Sequence, residues 1–193
     1  MQADTLSGGF TDPAIQSARA FRAVMEAMAR PGTIHDITGA ASPAPLSPAA
    51  GAVLLTLCDS DTPVALAGGY DCDAVRRWLA FHTGAPVTAP AQCMFALGSW
   101  ETLAPLSAYP VGSSQYPDRS ATLIVESPML EVCGARLSGP GIKDSAVLSL
   151  PEIAAFRANR ALYPRGLDFI FTSGSRLAAL PRSTRVAAQE GAA

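Results

Sequence analysis

The chain has 193 residues, a length that suits one domain with a sizeable core. Hydrophobic residues make up 49% and charged residues 16%, below the roughly 25% usual for soluble domains, so a partner is expected to cover part of the surface. The net charge of −2 argues against nucleic-acid binding. No apolar run approaches the roughly 20 residues a membrane-spanning helix needs, and the polar, acidic start MQADTLSGGFTDP does not read as a signal peptide.

Taken in chain order, Asp12-Pro13 combines an N-cap residue with a proline at the first helical position. Ile15, Ala18, Phe21, Met25 and Met28 then recur at three or four residues, which predicts the buried face of a helix ended by Pro31-Gly32. A short strand is predicted over 33–38 and a loop over 39–47. Ser47-Pro48 repeats the cap signal and opens a second, almost wholly apolar helix over Ala49–Cys58. Pro63–Ala67 reads as a strand, and Asp71 is placed as the cap of a third helix that Gly84 ends. Strands are predicted over 92–98, 121–127 and Met129–Leu137, and a last helix runs from Pro151 to about Leu162. Leu167–Thr172 and Leu177–Leu180, joined by Ser173-Gly174-Ser175, read as a hairpin with a three-residue loop. Helices alternating with strands and hairpins imply one domain of α/β class, a sandwich with a mixed sheet.

Chemistry-bearing residues are few. Cys58, Cys72, Cys93 and Cys133 lie far apart with no CxxC pair, so free thiols in a reducing cytoplasm are expected and no metal site is proposed. Of two histidines, His82 falls in the last turn of the third helix, as a C-terminal capping cation or a ligand contact. His35, beside Asp36, reads as structural. Asp59 and Asp61 at a helix end suit an Asx turn. Gly139-Pro140-Gly141 before Lys143 lacks the spacing of a phosphate loop and reads as a turn, and Lys143 is the chain's one lysine. The loop Tyr116–Ser120 carries Arg119 to the start of a strand, a usual place for ligand contacts. Arg182 and Arg185, past the second hairpin strand, are an anion clamp, partners of Asp168 or Glu152, or interface residues. No spacing assembles a catalytic triad, and no catalytic residue is assigned.

Six segments in order then carry a resemblance: Phe21–Met25 with Ala27–Gly32; Leu54–Leu57 with Asp59, Asp61, Thr62 and Pro63; Phe81-His82-Thr83; Tyr116-Pro117 with Ser120–Leu123; Leu137–Ile142; and Leu180–Val186. Together, over roughly residues 8–186, they resemble the PhnH family, subunits of the bacterial carbon–phosphorus lyase core complex. Arg165 stands where a Leu is usual and Ser183 where a Thr is usual, and the segment between Gly141 and Pro151 is short. The resemblance implies a three-layer sandwich similar to pyridoxal-phosphate-dependent transferases but without the cofactor. It implies a homodimer that also assembles with the other core subunits, in a cytoplasmic system that transfers an alkylphosphonate onto the ribose of ATP with release of adenine. Within that complex ATP and alkylphosphonate become possible ligands, and Arg182, Arg185, His82, Asp168 and Arg119 are the residues to place. Against it stand an independent small-molecule-binding homodimer and a pyridoxal-phosphate enzyme working through Lys143.

Overall fold

In a computed structural model, residues 8–189 are described. The chain runs β1 (Gly9–Phe10), α1 (Pro13–Ala29), β2 (His35–Asp36), β3 (Ala40–Ala41), α2 (Pro48–Leu57), β4 (Val64–Leu66), α3 (Asp73–Thr83), β5 (Phe95–Ser99) and α4 (Trp100–Leu103). It continues through β6 (Thr122–Glu126), β7 (Ala135–Ser138), β8 (Ala146–Leu148), α5 (Ile153–Ala161), β9 (Asp168–Ser173), β10 (Arg176–Leu180) and β11 (Arg185–Ala187).

The main sheet has the order β2-β10-β9-β6-β5-β4. Strands β4, β5, β6 and β9 are parallel, while β10 and β2 add antiparallel edges. The protein is therefore mixed α/β with a six-stranded mixed sheet. The parallel strands are buried on both faces, which is why TLIVE and DFIF read as nearly continuous apolar runs. Alternation still decides the face. Ile124 and Ile170 pack with α1, α2 and α3, whereas Leu123, Val125, Phe169 and Phe171 pack on the other side. There the Trp100 and Phe156 rings lie 4.8 Å apart and meet the Phe169 and Phe171 rings at centroid distances of 5.0–6.2 Å. A second, three-stranded sheet, β11-β7-β8, joins this aromatic layer through Leu137, Leu148 and Val186.

Local signals hold at most element ends. The Asp12 carboxylate accepts from the Ile15 N–H at 3.3 Å, and the Ser47 hydroxyl accepts from the Ala50 N–H at 3.1 Å. Other expectations need correcting. Cys72, not Asp71, is the N-cap of α3, and the Asp71 carboxylate instead takes two bonds from Arg76. The hairpin turn has two residues, since Ser173 pairs with Arg176. Gly174 has φ +58° at the first turn position, the geometry of a two-residue turn whose twist matches the strands. The strand expected over Met129–Leu137 is reduced to Ala135–Ser138, with Met129 and Val132 exposed ahead of it.

Helix α1 shows the largest departure. Its buried residues are Ala20, Val24 and Ala27, whereas Ile15, Phe21 and Met25 are about half exposed. Of the predicted face, Ile15, Ala18, Phe21 and Met25 are exposed, while Met28 is partly buried against the core. The helix lies close on α2 and β10, and small side chains permit that approach. The bulky stripe Ile15, Phe21 and Met25 is left turned outward.

Candidate functional site

The sequence-predicted residues do not form one constellation. Asp168 and Arg182 come together because the β9–β10 register sets Leu180 opposite Phe169, which brings the first residue of β9 beside the chain leaving β10. One Asp168 oxygen accepts from the Arg182 backbone N–H at 2.8 Å and from Nε at 3.1 Å. The other accepts from Nε and Nη2. Two further guanidinium donors go to the Pro117 carbonyl and the Ser120 hydroxyl. Both side chains are about 85% buried, with relative exposures of 14% and 15%. The fork suits this bidentate role, and with Asp168 in place it commits four of its five N–H donors inside the protein. Arg182 is a pin tying the hairpin to the 117–120 turn.

The pin borders an open cleft of about 500 Å³, bounded by Ala29 at the end of α1, Pro117, Gly141, Tyr163 and Ser183. The cleft thus gathers several of the segments singled out in the sequence. Gly141 shows how tightly they meet. Its φ is +80°, and a methyl group there would stand 1.9 Å from the Ala29 carbonyl oxygen. The charged side chains of the lining are Asp118, Asp168 and the committed Arg182. Two carboxylates against one ion-paired guanidinium make it a poor receptor for a polyanion.

The other predicted residues lie elsewhere. Arg119, in the 117–119 turn, stacks its guanidinium 4.1 Å from the Tyr116 ring centre beside a second depression. His82 sits between Trp78 and Phe81, with ring centroids at 5.2 and 4.9 Å. It does lie in the last turn of α3, and burial lowers its pKa, which disfavours the charged form that capping would use. Arg185 opens β11, is exposed, and lines a different depression from Arg182 despite lying three residues on. Lys143 is exposed on the β7–β8 connection and lines none of the clefts described. The Asp59 carboxylate accepts from the Asp61 N–H at 2.9 Å and the Thr62 hydroxyl at 2.6 Å, the Asx turn expected, and these bonds lower its pKa.

The four cysteines are unpaired. Burial pushes the Cys58 thiol up to about 12 and the Cys93 thiol up to about 11, so neither is a thiolate nucleophile at neutral pH.

Two buried polar groups were missed in the sequence. Glu126 ends β6 and accepts from the Ser47 N–H at 2.7 Å and the Thr172 hydroxyl at 3.0 Å. Burial raises its pKa. The signal was an acid closing an apolar strand. Asn159 exchanges two bonds with the Leu167 backbone, at 2.8 and 2.9 Å, and so fixes the entry to β9.

Comparison with known proteins decides the family. The family model described as bacterial phosphonate metabolism protein (PhnH) matches residues 8–187. The chain belongs to the PhnH family. It is 41% identical over 196 aligned residues to the alpha-D-ribose 1-methylphosphonate 5-triphosphate synthase subunit PhnH of Rhizobium meliloti (strain 1021), covering 96% of this chain and 97% of that one. It is also 32% identical over 175 residues to a putative C-P lyase subunit protein HtxG of Stutzerimonas stutzeri, covering 86% and 84%.

Proposed function

We propose that this chain is a cytoplasmic subunit of a bacterial carbon–phosphorus lyase system, required for the step that places an alkylphosphonate on the ribose of ATP with release of adenine. The observation that carries this reading is the 41% identity, over nearly the full length of both chains, to a protein named as a subunit of that synthase. The chain's part is accessory: it holds partners rather than breaking bonds, on a fold of the pyridoxal-phosphate-transferase type used without the cofactor. It acts as a single domain that pairs with a second copy and with the other core subunits.

The outward stripe of α1 supports a docking role. Ile15, Phe21 and Met25 are 51%, 48% and 53% exposed on one helix, with Ala18 between them. Bulky apolar side chains beside small ones form the surface helix packing uses. Co-expression with the remaining core subunits tests the proposal. The wild-type chain is expected to co-purify with them and to restore growth on methylphosphonate as sole phosphorus source in a strain lacking its own subunit. Phe21→Glu with Met25→Glu is expected to lose co-purification roughly thirtyfold or more while the chain stays folded. A wild-type chain that neither co-purifies nor restores growth would overturn the proposal.

A further inference from the structure

The arginines that the Asp168 pin does not consume gather on the other side of the hairpin tail. Arg157 and Arg160 stand three residues apart on α5, and Arg185 projects from the neighbouring edge strand β11. With Ala161 and Val186 they line an open groove of about 350 Å³. Its lining holds three cations and no carboxylate. Neither Ile153–Leu167 nor Arg176–Gln189 contains an Asp or Glu. The ion pairs among the described residues are His35–Glu26, Arg76–Asp71 and Arg182–Asp168, so these three arginines have no counter-charge among those residues. In a chain of net charge −2, such a concentration calls for a reason.

Helix electrostatics explain only part of it. A cation in the last turn of α5 is favoured by the helix dipole, which covers Arg160 but not Arg185 on a strand. Arg160 is also held in place. Its Nε donates to the Ser183 carbonyl at 3.1 Å, and its guanidinium lies 4.6 Å from the Tyr163 ring centre. That leaves both Nη groups without a partner among the described residues. One fixed and two freer guanidinium forks around a concave floor match an anion with several charged oxygens in a row better than a single carboxylate.

We propose that the Arg157–Arg160–Arg185 groove binds the oligophosphate chain of a small molecule, such as the triphosphate of a nucleotide. The assignment rests on the preceding proposal only for the source of that ligand. Binding belongs to the isolated chain.

The test is calorimetric titration of the purified full-length protein with sodium tripolyphosphate, with orthophosphate and a poly-glutamate peptide as comparators. Tripolyphosphate is expected to bind one per chain, more tightly than orthophosphate and more weakly as salt rises from 50 to 200 mM, roughly the range over which phosphate contacts are screened. Arg157→Ala and Arg185→Ala each weaken binding about tenfold, the loss of one charge-assisted contact, and the double variant abolishes it. Arg77→Ala, an exposed arginine on α3, leaves it unchanged. Thermal melts that match the wild type keep misfolding out of the comparison. No binding of tripolyphosphate, an equal loss in Arg77→Ala, or tighter binding of poly-glutamate each overturns the site. Any of these leaves the co-purification test untouched, so the two proposals fail separately.

Discussion

Arg182 and Arg185 lie three residues apart in one tail and have opposite surroundings. Arg182 is buried, its guanidinium donors divided among Asp168, Pro117 and Ser120. Arg185 is exposed, faces two more arginines, and has no carboxylate partner among the described residues. Identical chemistry does structural work in the first place and is free to meet a ligand in the second. What separates them is the strand register: it puts an acid beside one arginine and α5 beside the other. An arginine motif in sequence is therefore no evidence of an anion site until its internal partners are counted.

The contrast can be broken by substitution. Arg182→Ala leaves Asp168 largely buried without its counter-charge, which is expected to cost about 3 kcal/mol, or roughly 6–12 °C in Tm for a chain of this size. Urea denaturation checks it. Replacing Asp168 and Arg182 together by leucine is expected to cost less than either single change, because no unpaired charge remains. Gly141→Ala attacks the same cleft without touching charge. The forced φ and the approach to the Ala29 carbonyl are expected to cost about 2–3 kcal/mol by the same assay.

Glu126 sharpens the comparison from a third side, as a buried acid bonded only to neutral donors. Its pKa is raised by burial, so between the ordinary glutamate range, about pH 4–5, and its higher folded value the native state holds more protons than the unfolded state. Stability is therefore expected to fall as pH rises through that window. Glu126→Gln, which does not titrate, should flatten the decline, as denaturation at a series of pH values would show. The smallest effect belongs to Arg185→Ala, within about 0.5 kcal/mol of wild type, as for an exposed side chain without partners.

Much of the fold was legible in the sequence because its signals are local. Asp12-Pro13 and Ser47-Pro48 cap the helices they announce, and the parallel strands show as apolar runs. What was not legible depends on distant partners. The stripe Ile15, Phe21 and Met25 has the period of a core face, yet the residues fully buried against the core are Ala20, Val24 and Ala27. Asp168 was visible as a possible partner of Arg182, yet the choice between pin and clamp waited on register. Arg157 and Arg160 carried a readable signal, two arginines on one helix in an acid-free segment, but their meeting with Arg185 required β11, a strand too short to anticipate.

Side-by-side urea unfolding of Arg182→Ala and Arg185→Ala puts the contrast to its sharpest trial. A loss of about 3 kcal/mol in the first against no more than about 0.5 kcal/mol in the second is the expected result. Equal losses, or a larger loss in Arg185→Ala, would contradict the division of the tail into a structural arginine and a ligand-facing one.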